Sequence, residues 1–326
     1  MSASALGRWT DPEMARRTRE RGFPADPEPL PVPVVDNHTH LDHIGAVLPP
    51  TVPDGEPGTA WPPSVTDHLA RAAAAGVDRV VQVGSDLPSA RWTADLLTQP
   101  GAGVLGAVAI HPNEATLHAG IDEIGPDGLV PQPEAHHTTG LHDAIAEIAD
   151  LAKGNDRIRA IGETGMDLFR TGPLGEQAQR QSFRAHIALA KELGLALQIH
   201  DRDAHAQVIE VLLADGAPER TVFHCFSGDA EMARVCAEHG WYLSFAGPVT
   251  FKANHHLREA LTVAPRELVL LETDAPYLTP HPFRGQPNAP FAAAHTARAM
   301  AAHLDEDLRT LCTDLAANSE RVYGKW

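Results

Sequence analysis

Short β-branched or apolar runs alternate with helix-like segments along this chain, and that alternation constrains the fold more than any other feature. Eight runs have strand character: Val32–Asp36, Val77–Val83, Val104–Ile110, Ile158–Glu163, Ala196–His200, Val222–His224, Tyr242–Phe245 and Leu268–Glu272. Alanine-rich segments of helical period separate them, such as Thr66–Ala75, Gln177–Leu193 and Asp203–Ala214. Strands that alternate with helices form parallel sheets with right-handed crossovers. Eight such units in roughly 250–290 residues suit a closed (β/α)8 TIM barrel better than an open doubly wound sheet. No GxGxxG follows the first run to favour the open alternative.

The 326 residues allow one large domain or two medium ones, and 43% hydrophobic residues supply a sizeable core. Residues 1–30 read as a polar N-terminal extension, packed on the surface or mobile, ahead of a single barrel domain over 31–326. Two stretches, Pro49–Ser64 and Gly120–Gly140, are long for connections and rich in turn-forming residues. Both are expected on the C-terminal rim, as lids or specificity elements or as tolerated insertions. Three scattered cysteines, Cys225, Cys236 and Cys312, form no CxxC pair and fit a reducing cytoplasm. No apolar run is long enough for a membrane span, and no signal peptide is expected. The net charge of −17 excludes nucleic-acid binding through an overall basic field. A phosphorylated substrate would have to be held locally, by metal ions and a few arginines.

Chemistry-bearing residues fall where the strands should end. His38 and His40 come after the first run, in "VVDNHTHLDH". Glu163 closes the fourth, His200 the fifth and His224 the sixth, and Asp274 follows the eighth in "LLETDAPYL". A lone histidine at a strand end is more often a packing residue than a ligand. Four imidazoles and two carboxylates gathered without a metal would leave several buried polar groups unpaired. The set suits zinc, manganese or another divalent ion, and exceeds what one tetrahedral site needs. Two ions bridged by Glu163 use it economically, one on His38, His40 and Asp274, the other on His200 and His224. Asp274 is also placed to take a proton from the attacking water. The expected reaction is hydrolysis of an ester, amide or phosphoester by metal-activated water.

The segments "DNHTHLD", "AIHPNE", "GETGMDL", "HDRD", "HCFSG", "LLETDAPYL" and "PFRGQPN" occur in an order and spacing that resemble the TatD family of metal-dependent hydrolases. The resemblance spans about Val34 to Tyr323. It implies an amidohydrolase-superfamily TIM barrel with one or two divalent ions (Zn2+, Mn2+ or Mg2+) on the six residues already chosen. It implies a deoxyribonuclease or phosphodiesterase, acting from the 3′ end of DNA in some members. A hydrolase of a small ester, lactone or amide is the alternative. By the same resemblance His111 lies near the scissile phosphate, or else only orders its loop. Arg202 and Arg284 contact phosphate oxygens, or instead pair with Asp201 or Asp167. Ser227 and Gly228 offer a backbone N–H to the substrate or form a plain turn. Glu272 and Asp42 orient histidines, or cap and pack. Trp61, Phe226 and Phe283 are candidate stacking surfaces for a base. No membrane and no obligate protein partner is implied. The sequence departs from the family pattern in "NAP" at Asn288–Pro290, in Leu168 after "GMD", and in the length of the stretch around 120–140.

Overall fold

The computed structural model describes residues 22–49, 51–52, 61–99, 101 and 103–326. Eight strands lie in one sheet in chain order: β1 Val34–Thr39, β2 Val77–Gly84, β3 Val104–Val108, β4 Ile158–Asp167, β5 Ala196–Arg202, β6 Thr221–Phe223, β7 Tyr242–Phe245 and β8 Val269–Leu271. The pairings from β3 through β7 are parallel. Helices alternate with the strands: α1 Leu41–Val47, α2 Val65–Ala74, α3 Leu87–Leu96, α4 Pro112–His118, α5 Leu141–Gly154, α6 Pro173–Leu193, α7 His205–Asp215, α8 Ala230–Glu238, α9 His255–Val263, α10 Ala293–Leu304 and α11 Leu308–Tyr323. The expected (β/α)8 TIM-barrel class is the one found.

Helix ends follow local chemistry. Ser64 and Asp67 form a capping box at α2, each side chain accepting the other's backbone N–H at 3.2 and 2.9 Å. Asp86 caps α3 and Asp229 caps α8. The 21-residue α6 begins on Pro173 and stops at Gly194, whose φ of 62° closes the last turn.

The described residues fall into two compact units, one within 22–81 and 244–319, the other within 82–243 and 320–326. In the first, Val34, Val35, Leu270, Leu271 and Phe291 form a dry core. Residues 22–30, the described part of the proposed extension, pack onto this unit. Phe23 lies edge-on to Trp61, His68 and Phe291, and Leu30 N–H bonds to the Ala75 carbonyl at 3.0 Å. Residues 1–21 and most of the proline-rich 49–64 stretch lie outside the described residues. In the second unit Ile161, Leu197, Ile199 and Phe223 line the sheet, with Ile148 and Phe183 of α5 and α6 against them. Burying all six residues of β1 and nearly all of β4 matches parallel strands covered on both faces. No described helix is long and apolar enough to cross a membrane. All three cysteines are free thiols.

Candidate metal centre

In the first unit, the chain after β8 runs on beside β1. Thr39 pairs with Ala275, Asp274 N–H donates to the His38 carbonyl at 2.9 Å, and His40 N–H donates to the Ala275 carbonyl at 2.7 Å. That ladder sets Asp274 beside both histidines. His38 lies within β1 rather than beyond it, and His40 directly follows. Alternation along the strand puts Asp36, His38 and His40 on one face. The two Nε2 atoms stand 3.3 Å apart, and Asp274 Oδ1 lies 3.8 Å from His38 Nε2 and 3.5 Å from His40 Nε2. Asp274 takes a φ of 54°, a conformation that aspartate tolerates better than most residues. Two ring nitrogens and a carboxylate oxygen aimed at one another serve hydrogen bonding poorly, since each neutral imidazole has one N–H to give. The same three atoms are ordinary donors to a divalent ion, so the residues fit one.

Buried residues behind this set hold it in place. Asp36 accepts from Thr273 N–H at 2.8 Å and from Thr273 Oγ1 at 2.6 Å. Burial pushes its carboxyl pKa well up, against those hydrogen bonds. Asn288 donates to the carbonyls of Thr273 at 3.0 Å and Tyr277 at 2.5 Å, tying both ends of the loop that carries Asp274.

In the second unit, β4 does not end at Glu163 as its sequence suggests but continues to Asp167. The register of β4 on β5 slips between Ile161 and Thr164, where three steps on β4 face two on β5. Such a bulge re-aims a side chain inside a strand; the apolar run stops at Glu163 because its carboxylate turns inward there. Gly165 has a φ of 137°, and a Cβ on it would collide with the His200 carbonyl. β5 likewise runs two residues past His200.

Glu163 Oε2 is the focus of this unit, at 2.9 Å from His224 Nε2, 3.2 Å from His200 Nδ1 and 3.7 Å from His111 Nε2. Burial opposes its charge, but His224, His111 and His200 hold its pKa well below the usual range. His200 Nε2 lies 3.2 Å from Asp167 Oδ2. Burial works against the imidazolium there too, yet the hydrogen bonds to Asp167 and Glu163 lift His200 to about 9 and those of Asp167 lower it to about 2. Asp167 is anchored by Asn113 Nδ2 at 2.9 Å and by Gln179, which accepts its N–H at 2.9 Å and donates to its carbonyl at 3.2 Å. His111 differs from its neighbours. Its Nδ1 accepts the Asn113 N–H at 3.1 Å, so its own proton sits on Nε2. Burial and the nearby His200 push its pKa down to about 3, which keeps the ring neutral and a donor.

The remaining expectations fall as follows. Arg202 is exposed, with its guanidinium 4.2 Å above the Phe169 ring; Arg284 is exposed and lies 4.3 Å above Phe251. Ser227 Oγ donates to the Asp201 carbonyl at 3.0 Å. Asp42 lies 3.4 Å from His43 Nε2, and the His43 ring stacks on His40. Glu272 is buried directly after β8. Trp61 donates to the Pro49 carbonyl, Phe226 is buried and Phe283 rests on His295. Asp36, Asn113, Asp167, Gln179 and Thr273 were not singled out from sequence as partners of the metal-ligating residues. Asp36 and Asp167 had a signal, because each lies an even number of positions along its strand from a candidate ligand.

Histidine and carboxylate sets carried within or directly after the strands of a (β/α)8 sheet are those of a metal-dependent hydrolase. A family model for TatD related DNase matches residues 35–324. A metal-dependent hydrolase TatD of Mycobacterium tuberculosis is 39% identical over 295 residues, covering 89% of this chain and 98% of that protein. A protein of Citrobacter rodentium named 3′-5′ ssDNA/RNA exonuclease TatD is 32% identical over 270 residues, 80% and 93% of the two chains. Among solved structures, the TatD homologue YJJV of Escherichia coli K12 superposes with a TM-score of 0.70 at 23% identity, over 89% of this chain and 97% of that one. The chain belongs to the TatD family and is a metal-dependent hydrolase.

Proposed function

We propose that this hydrolase cleaves phosphodiester bonds at the 3′ end of single-stranded DNA. The observation that carries the reading is the pair of donor sets: His38, His40 and Asp274, whose ligand atoms lie within 4.8 Å of one another, and Glu163 with His200 and His224 each against its carboxylate. Their mixture of imidazole and carboxylate suits zinc or manganese. A bound ion supplies Lewis-acid stabilisation of a phosphoryl oxygen and makes water easier to deprotonate.

The protein's own groups do the rest. Asp274 takes the proton from the attacking water. His111, neutral and protonated on Nε2, donates to a phosphate oxygen. Arg202 and Arg284 are held over aromatic rings and form no ion pair among the described residues, so their guanidinium edges remain for phosphate. Ser227 turns its hydroxyl to Asp201, leaving its backbone N–H as the group it offers the substrate. These local charges offset a net charge of −17 that would otherwise repel a polynucleotide. The name of the Citrobacter rodentium relative supports the same substrate class.

The test is divalent-dependent shortening of DNA labelled at its 5′ end, run beside Asp274→Asn and beside a panel of small esters and lactones. Ladders that shorten from the 3′ end and vanish in the variant support the reading. Turnover of an ester or lactone with intact DNA would replace it. Equal DNA cleavage by the Asn variant would assign the activity to a contaminant.

A further inference from the structure

The connection between β3 and β4 carries a second group of histidines that the hydrolytic reading does not use. Glu114 and His118 lie four residues apart on α4, hence on one face. A short 3-10 turn, Ala135–Thr138, brings His136 and His137 to that face. One ligand atom from each of the four lies within 4.8 Å of the others, and Glu114, His118 and His137 are buried.

Hydrogen bonds fix where the protons are. His118 Nδ1 lies 2.7 Å from the Thr139 carbonyl, which can only accept, so the proton is on Nδ1. Its Nε2 then carries a lone pair, is buried, and has no hydrogen-bond partner among the described residues. His118 is 4% exposed, and burial lowers its pKa, so the ring is neutral. An imidazole that donates one N–H to a carbonyl and aims the other nitrogen into a polar pocket is the usual posture of a metal-ligating histidine. His137 has the opposite tautomer. Its Nδ1 accepts the Glu134 N–H at 2.7 Å, so Nε2–H donates to Glu114 Oε2 at 2.8 Å. His137 therefore orients the carboxylate and is not itself a ligand. His136 Nε2 lies 2.9 Å from the same oxygen, with Nδ1 3.8 Å from Glu134 Oε2. Without an ion the Glu114 contact keeps the proton on Nε2; an ion bound there would take the proton's place on Nε2 as the ring's tautomer shifts to Nδ1, the nitrogen facing Glu134, making His136 a second imidazole donor.

We propose that Glu114, His118 and His136 bind a structural zinc-type divalent ion, with His137 holding Glu114 in position. Two imidazoles and one carboxylate, with water completing the shell, are within the range of zinc coordination. The ion ties residues 134–139 to α4. That helix starts directly after His111 and contains Asn113, the anchor of Asp167. The long 120–140 segment is thereby pinned at both ends.

The test uses the full chain. Wild type, His118→Gln and His136→Gln are stripped with chelator, reloaded with zinc, freed of excess and assayed for zinc per chain. Far-UV circular dichroism checks that each is folded. Each variant is expected to hold one zinc fewer than wild type. Cobalt in place of zinc should give a d–d absorption band in wild type that weakens in both variants. His137→Gln should keep the stoichiometry and lose about 10–100-fold in affinity. If His118→Gln fails to fold, His136→Gln decides alone, since that ring sits at the edge of the cluster. Equal zinc content and equal cobalt spectra in wild type and the folded variants would overturn the proposal. The count is a difference, so it holds whatever the other donor sets bind, and it fails or succeeds separately from the hydrolytic reading.

Discussion

His200 lies against Asp167, with Nε2 3.2 Å from Oδ2, while its other nitrogen faces Glu163 at the same distance. Both contacts need a proton on the ring, which is why His200 is lifted from 6.5 to about 9. A cation that takes the Nδ1 position must displace one of those protons, and the remaining N–H stays with Asp167. Affinity at this set should therefore rise about tenfold per pH unit between pH 6 and 9, with release of about one proton per ion. Titration calorimetry in buffers of different ionisation enthalpy reads that proton. A pH-independent affinity with no proton released would contradict the assignment.

The same groups set the pH dependence of the metal-free fold. His200 is raised, so its contribution is complete below 6.5 and is lost as pH climbs through about 9. Asp167 is lowered from 3.8 to about 2, so its contribution is complete above 3.8 and is lost as pH falls through about 2. Metal-free protein should lose stability on going from pH 6.5 to 9, and metal-loaded protein should not. Denaturant melts at the two pH values, with and without metal, make the comparison.

Thr273→Val removes a hydroxyl that donates to buried Asp36 at 2.6 Å and accepts the Ala275 N–H at 3.1 Å. The expected loss is about 1–3 kcal/mol of folding stability, because two buried partners are left wanting. Affinity for the ion on His38, His40 and Asp274 should fall by about 10–100-fold, because the loop bearing Asp274 is less well held. Urea midpoints and zinc competition titrations measure the two effects.

Gly165→Ala places a methyl group against the His200 carbonyl at a φ of 137°. The variant should be destabilised by more than about 1 kcal/mol and should misplace His200. Weakened binding in the second unit, with the first unit's set intact, is the expected pattern in equilibrium dialysis.

Arg202→Ala keeps every metal ligand and removes one guanidinium from the exposed face over Phe169. If that group meets a phosphate, binding of single-stranded DNA weakens across all sequences and the salt slope drops by about one. Unchanged salt dependence would assign Arg202 to the surface alone.

Much of this molecule was legible in the sequence because barrel strands announce themselves. Apolar runs such as Val34–Val35 and Val222–Phe223 end in polar residues, and buried polar side chains at those positions need partners. All eight strands and the six candidate ligands follow from that rule. Glu163 was placed at a strand end because its run of apolar residues stops there; the strand continues through a bulge, which periodicity does not show. Asp167 was read only as a possible partner for Arg202 or Arg284, and Asp36 only as the end of the first apolar run. Their roles depend on Gln179 and Thr273, 12 and 237 positions away. His136 and His137 were read as part of the long 120–140 loop and His118 was not singled out, since only the fold brings a 3-10 turn back onto α4.

Diffraction from crystals grown with manganese, recorded where manganese scatters anomalously, tests the central claim most directly. The account predicts anomalous peaks within coordination distance of His38, His40 and Asp274 and of Glu163, His200 and His224. Fully occupied protein crystals with no anomalous signal at either set would contradict it.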